Sequence, residues 1–298
     1  MADHHHHHDV SGKNLFITII LNLIITLSQI VGGIYSGSLA LLSDAMHNFS
    51  DVLALVVAWV ANRLATRPGS LEKTFGYRRA EIIAALFNAS VLMGIAIFLI
   101  IEAVHKFVHP EPIRSTWVIG LGLLSIVLNA ASVLLIKDDA HGNMNIKAAY
   151  LHLLTDVMTS VAVVVGGVLI YYWQIFWVDP LVSLLIAVYL MYASYDIIKE
   201  SVAILMQFAP EGLDLQTLAE AVQKMSGVEN IHHIHIWRLN DHDIFLEAHV
   251  DFKSNLHLNE VTHTIERIEK MLQKEFGIAH VTLQPEYRRG DRKDLVVE

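Results

Sequence analysis

The sequence predicts a membrane-embedded all-α bundle of six transmembrane helices followed by a small α+β domain, and three observations carry that prediction. The 298 residues are 54% hydrophobic and only 17% charged, with a mean hydropathy of +0.45, too apolar for an ordinary soluble domain of this size. Six apolar stretches each reach the ~20 residues that a bilayer core of about 30 Å demands of a helix. From Pro210 onward the composition turns to mixed, soluble alternation. The expected division is a His-rich tail at 1–13, a membrane domain at 14–206 and a C-terminal domain at 207–298.

The six spans are placed at Asn14 to Tyr35, Leu39 to Ala65, Arg79 to Phe107, Thr116 to Ile136, Ile146 to Trp173 and Pro180 to Leu205. Turn chemistry separates them: Ser36-Gly37-Ser38, Arg67-Pro68-Gly69-Ser70, His109-Pro110-Glu111-Pro112, Asp138 to Asn145, and Val178-Asp179-Pro180. Lys13, Arg63, Arg67, Lys73, Arg78, Arg79, Lys137, Lys147 and Lys199 fall on the side of the N-terminus, whereas the opposite loops offer Lys106 and Arg114. Positive charge stays inside, so both termini and the C-terminal domain are expected in the cytoplasm. A polar tail precedes the first apolar stretch and no small-residue cleavage site follows it, so the first helix is expected to be retained.

In the C-terminal domain, Leu213 to Met225 reads as an amphipathic helix, Asn230 to Leu239 and Ile244 to Phe252 as strands, Asn259 to Phe276 as a helix, and His280 to Glu286 as a last strand. The order is αββαβ. The polar Asn240-Asp241-His242-Asp243 stretch favours a hairpin between the first two strands. A domain of about eighty residues has a small core, which makes dimerisation through it an expectation.

A net charge of −9 excludes a broad basic surface for nucleic acid. With no cysteine in the chain, any metal site uses nitrogen and oxygen donors, and 18 histidines are available. The run His4 to His8 reads equally as an expression tag or as a natural metal-catching tail.

Ionisable side chains inside a bilayer helix cost several kcal/mol unless paired, so they mark function by default. The second span carries His47 and Asp51, the fifth His152 and Asp156; each pair is HxxxD. Four-residue spacing stacks the two side chains on one helix face. One such pair serves packing as readily as chemistry, but two of them supply a complete tetrahedral set for Zn²⁺. Two carboxylates also balance a divalent charge in a low dielectric. Imidazole titrates near pH ~6.5 and competes for protons with the same lone pair that binds metal, so protons are the natural counter-ion. Asp44, three residues before His47, reads either as a partner orienting that imidazole or as a polar contact at the start of the helix. Asn22, Gln29 and Asn129 are expected to make hydrogen bonds between helices, and Gly32, Gly33, Gly166 and Gly167 to permit close helix packing.

The chain resembles the cation diffusion facilitators, in particular their zinc-transporting branch. The resemblance rests on Gly37-Ser38-Leu39-Ala40-Leu41-Leu42-Ser43-Asp44-Ala45-Met46-His47 with Asp51, on Thr74-Phe75-Gly76-Tyr77-Arg78-Arg79-Ala80-Glu81, and on His152 with Asp156. Asp179-Pro180, Lys199-Glu200-Ser201 and His232-His233-Ile234-His235-Ile236-Trp237 complete it. It implies homodimers, divalent-cation/proton antiport out of the cytoplasm by alternating access, and a ferredoxin-like cytoplasmic domain able to bind metal. It also implies zinc preference for a His2Asp2 set, where Asp-rich variants accompany broader metal use, with cadmium or cobalt as alternative substrates, and, for a bacterial host, location in the inner membrane.

By motif position the resemblance further implies a cytoplasmic metal site at His232, His249 and Glu286, although Gln284 stands where some relatives have His. A metal-free domain with ordinary surface histidines is the competing reading. Strand alternation puts His233 and His235 on the other face from His232. Some relatives place a further site between the second and third spans, but Arg67 to Lys73 holds neither Asp nor His, so none is expected there. His141-Gly142-Asn143-Met144-Asn145 reads as a plain loop or as a stretch handing metal to the pore.

Three rival readings compete with transport. A membrane metallohydrolase would need an open coordination position and a base such as HExxH supplies, which the sequence lacks. An importer or channel of another fold fits poorly with six spans and a substantial C-terminal domain. A metal sensor would bind metal without moving it.

Overall fold

The computed structural model describes residues 8–137 and 144–296. The helices are α1 (His8–Ser36), α2 (Leu39–Ala65), α3 (Ala80–Val108), α4 (Ser115–Ile136), α5 (Met144–Trp173) and α6 (Val178–Leu205). After them come α7 (Leu215–Gln223), β1 (Val228–Arg238), β2 (Ile244–Phe252), α8 (Leu258–Phe276) and β3 (His280–Glu286). His4 to His7 and residues 138–143, which include most of the stretch beginning at His141, lie outside the described residues. By contact the chain forms two compact units, residues 1–60 with 84–198, and residues 61–83 with 199–298.

Among the described residues, five helices are long and apolar enough to cross a membrane, and the apolar part of the first, Ile20–Ser36, is shorter. Their outward faces are greasy: Ile34, Leu134, Met158 and Tyr192 are all exposed, which a soluble bundle would bury. The chain is a multi-pass membrane protein. Inside the bundle, Leu41 of α2, Val118 of α4, Val163 of α5 and Leu190 of α6 pack in one buried cluster. Leu39, Leu99, Ala103 and Ala187 form a second. Glycine allows the close approaches: a Cβ at Gly33 would sit 3.2 Å from the Leu42 backbone, and one at Gly167 would sit 3.0–3.1 Å from Ile119 and Val118.

The turn between α1 and α2 needs Gly37, whose φ of 72° is left-handed. α2 then starts with amides that have no partner in their own helix. Asp179 of α6 supplies one, accepting from the Ser38 hydroxyl, from Leu39 N at 2.7 Å and from Ala40 N at 3.3 Å. A carboxylate from the sixth helix thus caps the second.

In the C-terminal unit the sheet order is β1-β2-β3, with β1 antiparallel to β2 and β2 parallel to β3. The hairpin forms as expected. Asn240 Oδ1 accepts from the amides of His242 (3.0 Å) and Asp243 (2.7 Å), fixing the turn. Parallel pairing of β2 and β3 requires a crossover, and α8 provides it. Both helices lay apolar residues on the sheet, with Leu218, Val222, Ile268 and Leu272 fully buried against Ile231, Leu246 and Val250. Asp214 caps α7 by accepting from Gln216 N (3.1 Å), Thr217 N (3.2 Å) and the Thr217 hydroxyl (2.6 Å). Those bonds, the hydroxyl first, hold its carboxyl below the usual carboxylate range.

Candidate metal centre

Both HxxxD pairs lie in helix, His47 and Asp51 in α2 and His152 and Asp156 in α5, so each presents its two groups one turn apart. The structure brings all four together, each offering one ligand atom within 4.8 Å of the others. His47 Nε2 lies 3.4 Å from Asp156 Oδ1, and His152 Nε2 lies 3.2 Å from Asp51 Oδ2. Within the helices, His47 Nδ1 and Asp51 Oδ2 are 3.6 Å apart, and His152 Nε2 and Asp156 Oδ2 are 3.9 Å apart. The imidazole rings meet edge to face at 5.6 Å.

These atoms are short of partners. Both nitrogens of His47, Asp51 Oδ2 and both carboxylate oxygens of Asp156 are buried without a hydrogen bond. Leaving such groups unpaired costs about 1–3 kcal/mol each. A divalent cation satisfies them together, and two imidazoles with two carboxylates are a donor set that Zn²⁺ accepts. The side chains of Asp156 and His47 are 0% and 7% exposed, whereas those of Asp51 and His152 are 22% and 43% exposed, so the cluster has one sealed wall and one open wall.

Asp44 adjoins this cluster but serves other helices. Its carboxylate is fully buried and accepts from Gln29 Nε2 of α1 (2.5 Å), and from Thr159 Oγ1 (2.9 Å) and Ser160 Oγ (3.1 Å) of α5. Asn48 donates to Gln29 Oε1 at 3.1 Å. Of the three amides expected between helices, Gln29 behaves so; Asn129 bonds Ser125 on its own helix, and Asn22 Oδ1 is buried without a partner.

A second cluster sits in the C-terminal unit, where His232, His249, Glu286 and Asp291 offer atoms within 4.8 Å of one another. His249 Nδ1 is 3.0 Å from Glu286 Oε1, and His232 Nδ1 is 3.1 Å from Asp251 Oδ2. Gln284 donates to Glu286 Oε1 at 2.8 Å, so it supports the carboxylate. Burial holds the His249 imidazole below its ordinary pKa despite Glu286 beside it. The expected strand alternation fails here: a register shift between His232 and His235, with His233 at φ 53°, buries Ile231 and His232 in succession. The His233 ring accordingly lies 4.6 Å from that of His249.

Asp291, Asp251 and Lys293 were not singled out in the sequence. The charged run from Arg288 to Asp294, just after the last strand, is the available signal for Asp291 and Lys293; Asp251, inside β2, has none.

Comparison with known proteins agrees along the whole chain. A family model described as the cation efflux transmembrane domain matches residues 15–206, and one described as the cation efflux protein, cytoplasmic domain, matches residues 210–288. The cadmium, cobalt and zinc/H(+)-K(+) antiporter of Bacillus subtilis is 34% identical over 296 residues, 99% of this chain and 95% of the relative. The metal cation efflux system protein CzcD of Cupriavidus metallidurans is 32% identical over 292 residues, covering 97% and 92% of the two chains. The zinc transporter ZitB of Pectobacterium atrosepticum is 32% identical over 293 residues, covering 97% and 90%.

Proposed function

The chain belongs to the cation diffusion facilitator family of metal cation efflux transporters, zinc-transporting branch, and from that premise we propose that it exports Zn²⁺ from the cytoplasm in exchange for protons. The observation that carries the proposal is the meeting of His47, Asp51, His152 and Asp156, from two helices, with five buried donor atoms lacking hydrogen bonds.

In this reading the four residues hold the transported ion. Two carboxylates neutralise its charge, and two imidazoles favour zinc over the harder cations that all-oxygen sites select. Cadmium and cobalt are the secondary substrates. Every ligand that binds metal must first lose or lack a proton, so metal and protons exclude one another at the same atoms. A site that faces the two sides of the membrane in turn then exchanges them. The transport domain is residues 14–206, both termini and the domain at 207–298 are cytoplasmic, and the protein works as a homodimer, in a bacterium at the inner membrane. The match of residues 210–288 to a cation efflux cytoplasmic domain supports that placement.

The test is metal uptake by inverted or randomly oriented proteoliposomes holding the full chain, with zinc, cadmium and cobalt offered singly and in competition. Zinc is expected to be moved best, and Asp51→Ala and Asp156→Ala to abolish uptake of all three. Uptake surviving both changes would remove the four-residue site from the pathway. Tight zinc binding with no uptake would identify a sensor instead.

A further inference from the structure

The second cluster already contains a cation. Lys293 Nζ donates to Asp251 Oδ1 at 2.8 Å and to Glu286 Oε2 at 3.3 Å, lies 2.5 Å from Asp291 Oδ1, and sits 3.4 Å from His232 Nε2. Three of those four groups are nearly or wholly buried: His232 is 0% exposed, Asp251 6% and Glu286 7%. Asp251 Oδ2 lies 3.1 Å from Nδ1 of His232, and its Nε2 is the nitrogen that faces the ammonium. Glu286 is split in the same way. Its Oε1 accepts from Arg289 (2.8 Å) and Gln284 (2.8 Å) and lies 3.0 Å from His249 Nδ1, and its Oε2 faces Lys293.

Two atoms that face Lys293, His232 Nε2 and Glu286 Oε2, are among the atoms a metal would use, and Asp291 faces it with Oδ1 of a carboxylate whose Oδ2 faces His232. His232 Nε2 and Glu286 Oε2 are 3.7 Å apart and His232 Nε2 and Asp291 Oδ2 are 3.5 Å apart, near the roughly 3.3 Å that separates ligands around a tetrahedral zinc with bonds of about 2.0 Å. An ion bonded to them and the Lys293 ammonium cannot share the space. Charge points the same way. Asp251, Glu286 and Asp291 face Lys293 and Arg289, leaving one negative charge; a divalent ion in place of the ammonium leaves none.

We infer that Lys293 is a built-in competitor that fills the C-terminal cluster when metal is absent and is expelled when a divalent metal binds His232, His249, Glu286 and Asp291. The segment carrying it is anchored on β1, where Asp294 O accepts from His233 N (3.2 Å) and Leu295 O from Ile234 N (2.8 Å). That anchoring keeps the ammonium at high local concentration, so only metal above a threshold displaces it. The cluster becomes a switch set by metal level, with Lys293 exposed in the metal-bound state. The inference concerns the C-terminal unit alone and stands whether or not the membrane site transports zinc.

The experiment uses the full chain in detergent with Asp51→Ala and Asp156→Ala silencing the membrane site, and His249→Ala as the reference lacking the cluster. Acetylation of Lys293 by a water-soluble ester is followed by mass spectrometry while zinc is titrated. Lys293 is expected to resist labelling without zinc and to label at least several-fold faster as the cluster fills, with no zinc response in the His249→Ala protein. Equilibrium dialysis of the same protein with Lys293→Met, which keeps chain length and removes charge, is expected to show zinc binding tightened about tenfold or more. Unchanged labelling across the titration would overturn the inference in the otherwise native cluster, whatever the variant's folding. So would Lys293→Met binding zinc no more tightly, or no zinc binding at the cluster in either protein, which would make it an ion-pair network only.

Discussion

Asp156 has no accessible surface and no hydrogen-bond donor on either carboxylate oxygen, a condition that only a cation or a proton relieves. Asp156→Asn keeps the shape and removes the charge. Zinc affinity at the membrane site is expected to fall by more than the ~10–100-fold that losing an outer partner of a metal ligand costs. Isothermal titration of the full chain measures it. Asp44 should behave differently, since its three hydrogen bonds join α2 to α1 and α5. Asp44→Ala strands three donors and is expected to lower stability by about 1–2 kcal/mol, with Asp44→Asn intermediate, as read by thermal unfolding in detergent. The meeting of His47, Asp51, His152 and Asp156 was legible from two HxxxD spacings because that relation is local and helical. The partners of Asp44 were not, because Thr159 and Ser160 lie 115 and 116 residues away and no spacing encodes the contact.

At the scale of elements, hydrophobic length and turn residues placed all the helices and strands. Most ends moved by two residues or fewer, as at α7, which starts after Asp214 rather than at Leu213, but α1 begins at His8, six residues before the expected Asn14 and inside the expected tail. What stayed hidden was how elements hold one another. Asp179 read only as the opening of a helix, yet it caps the amides of Leu39 and Ala40 in α2. Asp179→Ala is expected to destabilise the bundle by about 1–3 kcal/mol and to depress transport with it, because those buried amides lose their acceptor. Thermal unfolding and uptake on one preparation test that. The α7 cap has a pH signature. Its carboxyl is depressed in the folded chain, so its stabilisation is fully present above pH about 4 and is lost as pH falls through the lower folded value. Asp214→Asn should retain most of the cap at neutral pH and lose that acid sensitivity, whereas Asp214→Ala should lower the unfolding temperature at every pH above it.

Across the whole molecule, the two clusters share a chemistry of histidine and carboxylate but differ in what neutralises them. Among the described residues, the membrane cluster has no Lys or Arg in its ion pairs, whereas the C-terminal cluster carries Lys293 and Arg289 within it. The first therefore needs a mobile cation or protons, and the second supplies its own. This contrast was invisible in the sequence, where both read as histidines with nearby acids. It supports the two proposals, exchange at the membrane cluster and metal-responsive switching in the C-terminal unit.

The most direct test of exchange is simultaneous recording of zinc and proton movement in proteoliposomes holding the intact chain. A zinc indicator and a pH indicator are trapped inside, with an imposed pH gradient as the only driving force. Zinc is expected to enter as protons leave, to reverse when the gradient is reversed, and to stop in both channels with Asp156→Asn. Zinc entry that ignores the pH gradient, or proton movement that continues in Asp156→Asn, would contradict the account.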